Sequence, residues 1–433
     1  MNKNILRSLF NKFGLFRLAS KINSPKITAI ILFLTCSIIK SKKRNVPTMI
    51  YIHKGIGVDD IKSMAQYSNE INYIILQSSF IREIFKIFFG SNIYDNKNLH
   101  IEYHVDKKNF PSSVKAKYRN FLSKSFNYLE KFIKYDGFIC SNYVYSYLQE
   151  LAVYAREENK LYVILYKEGL VHKNFLKNYI NRYTNQKFIG DIFFTSNYYI
   201  KEALIESNIQ GFNKDNIIPI GIPRLDYYKD LETSNKHIAL FSFYPDDKFS
   251  YLEDKSYFNK DFKSMMNQIA ENFHIYAIQY ANQNPKKKLI IKTKFPKKYI
   301  KYVHGIIQRN NLFISKNIFI TNDEDTTTII RNASAILAYN STTLLEALLL
   351  NKKIIIPSFS NILPHEHNID YLIDYENIAN TVSTYKDLDD AIKVDKSYDQ
   401  KMINKILKDY ILHTNFQASK NAENEIIRYI KNK

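Results

Sequence analysis

The sequence predicts an α/β protein of two successive Rossmann-like domains, and three observations carry that expectation. Its 433 residues suffice for two domains of ordinary size. Hydrophobic residues make up 45% and charged residues 24%, a balance that favours a sizeable core over disorder. Short apolar runs also alternate along the chain with stretches of helical spacing, the pattern of a parallel sheet covered by helices.

The elements follow in order. Ile5, Leu6, Leu9, Phe10, Phe13, Phe16 and Leu18 recur at helical spacing among basic residues. An apolar run from Ile27 to Ile39 comes next, closed by Lys40, Lys42, Lys43 and Arg44. The run is shorter than the roughly 20 residues a membrane-spanning helix needs. It lacks the cleavage site of a signal peptide. Two readings fit residues 1–45: an interfacial anchor on anionic lipid, or a buried element of the first domain. The segment before Val46 holds ten Lys and Arg residues and no Asp or Glu, half of the net charge of +20. Such a surface suits anionic lipid or a phosphorylated acceptor. No nucleic-acid-binding signature accompanies it, so no nucleic-acid partner is expected.

The first domain is expected over residues 46–228. Met49–His53 reads as a strand, followed by Gly55 and Gly57 and an acidic helix start at Asp59 and Asp60. Further strands are expected at Asn72–Leu76, Ile101–His104, Tyr135–Cys140, Leu161–Tyr166, Asp191–Ser196 and Ile217–Ile220, with a helix over Tyr143–Glu158. The polar stretch Tyr227–Lys236 reads as the linker. A second domain over 236–400 alternates again, through His237–Phe243, a helix over Phe262–Gln283, Lys288–Lys292, Ile318–Thr321, Ala335–Tyr339 and Ile354–Pro357. Residues 401–433 read as an amphipathic C-terminal helix. Cys36 and Cys140 lie in apolar surroundings without metal-ligand spacing, which reads as two buried thiols in a reducing compartment.

The densest chemical signal is Ala335–Pro357, AILAYNSTTLLEALLLNKKIIIP. A strand ends near Tyr339, and Asn340, Ser341, Thr342 and Thr343 crowd the first turn of the next helix. Unpaired backbone N–H groups, small hydroxyls and the helix dipole converge there, which suits a nucleotide diphosphate. Glu346, one turn in, stands where a ribose diol would be held. Read as structure alone, Thr343 and Glu346 form a capping box.

This block resembles the donor-binding half of GT-B glycosyltransferases, including the CDP-glycerol glycerophosphotransferase and capsule transferase families. In those families a Ser/Thr-rich turn and a Glu-bearing helix precede a strand ending in Pro. Gly221–Asp226 (GIPRLD) is similar to their G-x-P-R-x-D, and Asp191–Ser196 to the strand before it. The resemblance runs over about Leu161–Phe359, nearly half of the chain. It implies two Rossmann-like domains facing across a cleft. The implied activity moves a sugar from a nucleotide donor to a glycan or lipid-linked glycan acceptor of a capsule, O-antigen or lipopolysaccharide. The expected location is cytoplasmic, on the inner face of the membrane.

The resemblance also assigns roles. Where many relatives carry His-Pro, this chain has Phe295-Pro296, flanked by Lys292 and Lys294, which suit a departing diphosphate. Arg224 would bridge a phosphate or pair with Asp226. Where the glycerophosphotransferases have His-Gly, this chain has Glu168-Gly169 after the strand Leu161–Tyr166. That departure argues against glycerol-phosphate transfer and makes Glu168 the first choice for the base, with His172 second and His53 third. No convincing DxD stands at a strand end, so no cofactor and no metal are expected beyond the nucleotide-sugar co-substrate. His365, Glu366 and His367 lack a further ligand for a metal and read instead as a donor loop. Two alternatives remain: a non-hydrolysing sugar-nucleotide 2-epimerase, and a non-catalytic scaffold of polysaccharide assembly.

Overall fold

The computed structural model describes residues 24–53, 57–167, 173–229, 232–245, 260–339, 341–358, 378–394, 398–412 and 415–433. Gly55, Glu168, Gly169, His172, Asn340 and the His365–His367 cluster lie outside the described residues, as does the amphipathic start of the chain. The chain forms two compact units: residues up to Tyr227 together with Asp409–Lys433, and Tyr228–Lys408.

Among its described residues the first unit is built on seven strands: β1 (Ser37–Ile39), β2 (Thr48–His53), β3 (Asn72–Gln77), β4 (Gly137–Cys140), β5 (Leu161–Leu165), β6 (Ile192–Thr195) and β7 (Ile217–Pro219). Their order is β1-β3-β2-β4-β5-β6-β7. All neighbours are parallel except β1, which closes the edge antiparallel to β3. Successive residues point to opposite faces, and both faces are covered. Ile50, Ile52, Ile74, Leu76, Phe138, Ile164 and Phe193 enter one apolar cluster, with helices Ser78–Phe89, Ser112–Glu130 and Ser146–Glu157. Met49, Tyr51, Tyr73, Ile75, Ile139, Val163 and Phe194 enter the other. There they meet Ile61 and Met64 of helix Val58–Tyr67 and Ala422 and Ile426 of helix Ala418–Asn432.

Among its described residues the second unit has six parallel strands: β8 (His237–Phe241), β9 (Lys288–Lys292), β10 (Ile318–Thr321), β11 (Ala333–Leu337), β12 (Lys353–Pro357) and β13 (Asn380–Val382). Their order, β10-β9-β8-β11-β12-β13, is the 3-2-1-4-5-6 arrangement of dinucleotide-binding sheets. The chain therefore reverses its direction of travel across the sheet between β8 and β11. Ile238, Leu240, Leu289, Ile291 and Leu337 pack on Met266, Ala270, Phe273 and Ala277 of the long helix Lys260–Gln283.

Three expectations need correction. Residues Ile101–His104 form turns and no strand. Their polar side chains bind helix Ser146–Glu157: the Tyr103 hydroxyl donates to Glu150 at 2.9 Å, and His104 Nε2 meets Gln149 Oε1 at 3.1 Å. The apolar run Ile27–Ile39 is neither one strand nor one helix. Helix Pro25–Thr35 starts on a Ser24 cap with Pro25 in its first turn, buries Ala29, Ile31 and Leu32, and leads into β1. The packed first unit thus begins ahead of residue 46. The tail is two helices, Gln400–Ile411 and Ala418–Asn432, and between them Leu412 and Phe416 take φ of 66° and 54°. Cys36 and Cys140 are both buried, and the Cys36 thiol donates to the Phe33 carbonyl at 3.1 Å.

Candidate functional sites

In parallel α/β sheets, ligands gather at the carboxyl ends of the strands, where the strand order reverses. In the second unit that point lies between β8 and β11. Phe241, Lys292, Leu240 and Leu337 are in register across β8, β9 and β11, so the residues after them share one edge.

After β11 the chain reaches Ser341, and a short helix runs from Thr343 to Leu349. Ser341 Oγ accepts from the Thr343 hydroxyl at 2.9 Å, and its carbonyl accepts the Leu344 N–H at 3.0 Å. Thr342 is the N-cap residue and makes no side-chain cap bond. Thr343 is already inside the helix, so the capping box of Thr343 and Glu346 does not form. Glu346 is buried, and its Oε2 accepts from the Tyr228 hydroxyl at 2.6 Å. One oxygen of the residue expected at a ribose is thereby held by Tyr228, which fixes the carboxylate.

The same edge carries a pair that sequence reasoning missed. Ser242 follows β8, and its Oγ lies 2.9 Å from His274 Nε2. His274 Nδ1 lies 2.7 Å from the Ala270 carbonyl, which only accepts, so Nδ1 carries the proton. Burial pulls the His274 pKa down to about 4, so the ring is neutral and Nε2 accepts from the Ser242 hydroxyl. The hydroxyl proton is thus committed, and the Ser242 oxygen faces its remaining surroundings as an acceptor. His274 sits inside a long helix, 32 residues from Ser242, and no local pattern marks it.

Lys292 ends β9, where its Nζ donates to the carbonyls of Thr293 (2.8 Å) and Asn322 (3.1 Å). Burial lowers its pKa, an effect opposed by Asp323, Glu324 and Asp325. Lys294 lies 5.0 Å from the Tyr299 ring centre, and Phe295 beside it is 76% exposed.

The first unit gathers charge at its own carboxyl edge. Asp60, in the first turn of helix Val58–Tyr67, is buried. Lys167, just past β5, brings Nζ to 2.6 Å from Asp60 Oδ2. The Arg224 N–H donates to Asp60 Oδ1 at 2.9 Å, and its guanidinium lies 3.9 Å away. Burial alone would raise the Asp60 pKa, but Lys167 and Arg224 outweigh it and hold the carboxyl below its usual value. The adjoining cavity, lined by Tyr166, Lys167, Ser196, Gly221 and Arg224 among others, measures about 20 Å³. That is room for about one water and not for a nucleotide. Gly57 opens this corner: it takes φ of +100°, and a methyl group there would collide with the Tyr51 hydroxyl and press on Lys167.

Arg224 therefore does not pair with Asp226. Asp226 instead accepts the N–H groups of Ser419 (2.7 Å) and Ala418 (3.3 Å) at the start of the last helix. Burial raises its pKa against those bonds. In this chain GIPRLD thus works as a clasp for the first unit, with Arg224 on Asp60 and Asp226 on the returning tail. His53 is the last residue of β2, so its backbone stands at the same carboxyl edge as Lys167, the residue before Glu168. Among the described residues no three His, Cys, Asp or Glu converge as metal ligands.

No family model matches the sequence, and no curated protein matches it. Solved structures do match. A protein from Listeria monocytogenes assigned as a UDP-N-acetylglucosamine 2-epimerase aligns over 90% of this chain and 98% of its own, at TM-score 0.51 and 9% identity. The wall teichoic acid polymerase TagF aligns over 98% of both chains at TM-score 0.49 and 13% identity. The UDP-GlcNAc 2-epimerase of Neisseria meningitidis, solved with UDP-GlcNAc, covers 88% of this chain and 99% of its own, at 0.47 and 11%. The Listeria likeness and the two parallel sheets define the class: a protein of the GT-B fold, with two Rossmann-like domains.

Proposed function

We propose that this chain is a glycosyltransferase that moves a sugar from a nucleotide-activated donor to a cell-surface polysaccharide acceptor, without a metal. One observation carries the reading. At the reversal point of a 3-2-1-4-5-6 sheet, the Ser341–Thr343 turn, the His274-oriented Ser242 and the Lys292–Lys294 strand end share a single edge. Backbone N–H and ammonium groups suit a diphosphate, and the Ser242 oxygen, which faces outward as an acceptor, suits a ribose hydroxyl of the same nucleotide. Glu346, steadied by Tyr228, takes the ribose. Lys294 and Lys292 offset the charge that develops on the leaving nucleotide, which is why no metal is required.

In the first unit Glu168 is the base, following directly on Lys167 and its ion pair with Asp60. The acceptor oxygen bonds to the anomeric carbon as the bond from that carbon to the diphosphate oxygen breaks. The Glu168 carboxylate takes the acceptor proton, and the nucleoside diphosphate departs with the bonding electrons. His172 and His53 are the next candidates for the proton. Sugar nucleotides also feed 2-epimerases, and the likeness to the Listeria protein makes that the second reading.

The test is a thermal-shift screen against UDP, GDP, CDP and CMP with and without Mg²⁺, followed by nucleotide release from the matching sugar nucleotides. A ligand well above its dissociation constant raises the midpoint measurably. The proposal expects one nucleotide to stabilise the protein equally with and without metal, and Glu346→Ala to lose that shift. It expects acceptor-dependent nucleotide release that Glu168→Gln abolishes. Sugar interconversion without an acceptor would establish the epimerase instead. Failure of every nucleotide to bind would leave a scaffold.

A further inference from the structure

Helix Pro25–Thr35 has two unlike faces. Thr28, Ala29, Ile31 and Leu32 are buried inward. On the outside Ile27, Ile30 and Leu34, at steps of three and four residues, form one apolar stripe, each 36–39% exposed. The helix packs against Ser112–Glu130, and between them opens a cleft of about 430 Å³. Lys26, Lys117 and Lys124 ring the cleft, over walls that include Phe88, Phe121 and Tyr128. Among the described residues no carboxylate lines it. The surface continues past the helix end, where Lys131 lies 5.0 Å from the Tyr128 ring centre. There Phe132, 49% exposed, stacks on Phe33 at 5.3 Å.

The geometry points to this face as the docking site for an anionic lipid bilayer. Uncompensated lysines answer lipid phosphate, and the aliphatic stripe beside them enters the acyl boundary, the two components an interfacial helix combines. A nucleic acid would use the lysines and leave the stripe idle. Among the described residues no helix is long and apolar enough to cross a membrane, so this contact lies at the surface. The inference does not depend on the glycosyltransferase reading.

The test is cosedimentation of the full chain with vesicles of phosphatidylcholine alone or with about a third phosphatidylglycerol. The wild type should bind the anionic vesicles, weaken as salt rises, and ignore the neutral ones. At about 1 kcal/mol for each lysine, the triple change Lys26→Ala, Lys117→Ala, Lys124→Ala should weaken binding about 100-fold. Ile27→Ser with Ile30→Ser and Leu34→Ser, all on the exposed stripe, should weaken it as well. Unchanged thermal midpoints would show that both variants fold. Equal binding to neutral vesicles would overturn the proposal. So would wild-type binding by the lysine variant, which would place the contact elsewhere, as in residues 1–23. Wild-type binding by the serine variant would reduce the face to a charged surface and overturn it too.

Discussion

The tail returns to the first sheet through a buried carboxyl group, and its proton makes a measurable prediction. Glu423 is fully buried on helix Ala418–Asn432. Its Oε1 accepts from the Tyr73 hydroxyl at 2.5 Å and its Oε2 from the Glu70 N–H at 2.6 Å. Burial pushes its pKa up to about 7, against the lowering effect of those bonds, from an ordinary value of 4.5. Between those two values the folded state holds a proton that the unfolded chain has released. Stability from this group is therefore complete below pH 4.5 and lost as pH rises through 7. The shift corresponds to about 3 kcal/mol as an upper figure. Glu423→Gln removes the titration and keeps an acceptor for Glu70, while the Tyr73 hydroxyl turns to accept from the new amide. Thermal midpoints of both proteins should be compared at pH 5, 6, 7 and 8. At about 2–4 °C per kcal/mol, the variant should gain on the wild type by several degrees between pH 5 and pH 8. Taking the difference between the two proteins cancels groups they share. A difference that is flat or shrinks with rising pH would refute a raised Glu423 pKa.

Other perturbations test the two carboxyl edges. Asp60→Ala removes the carboxylate that pairs with Lys167 and leaves a buried void, and should cost about 3–5 kcal/mol in urea unfolding. Because the Asp60 pKa is depressed, the stability it supplies is present above its ordinary value of 3.8 and lost as pH falls through the folded value. Gly57→Ala, at φ of +100°, should cost about 1–3 kcal/mol, and Tyr51→Phe in the same chain should recover the part due to the hydroxyl. His274→Phe frees the Ser242 hydroxyl to rotate; under the proposed function nucleotide affinity should fall about tenfold by calorimetry with little change in midpoint. An unaltered affinity would remove Ser242 from the donor edge.

The sequence by itself determined most of the strands and their grouping into two sheets, but not the edge strands β1 and β13. A strand covered on both faces must be apolar at nearly every position, and Met49–His53, Leu161–Leu165 and Lys353–Pro357 announce that locally. The turn after β11 was equally legible, because hydroxyl residues crowding a helix start are a local pattern. Ile101–His104 misled because its alternation resembles a strand, whereas tertiary contacts with Glu150 and Gln149 hold it as a turn. Only the tertiary structure decided which charges meet. Arg224 reaches Asp60 across 164 residues and leaves Asp226 to the last helix, and Ser242 finds His274 in the middle of another helix. It also split the run Ile27–Ile39 between a core-facing helix and an edge strand, leaving one stripe outside. Periodicity is imposed by the backbone within a few residues and is written along the chain. The choice of partner for a buried charge depends on which distant elements the fold brings within a few ångströms, and no local pattern records that.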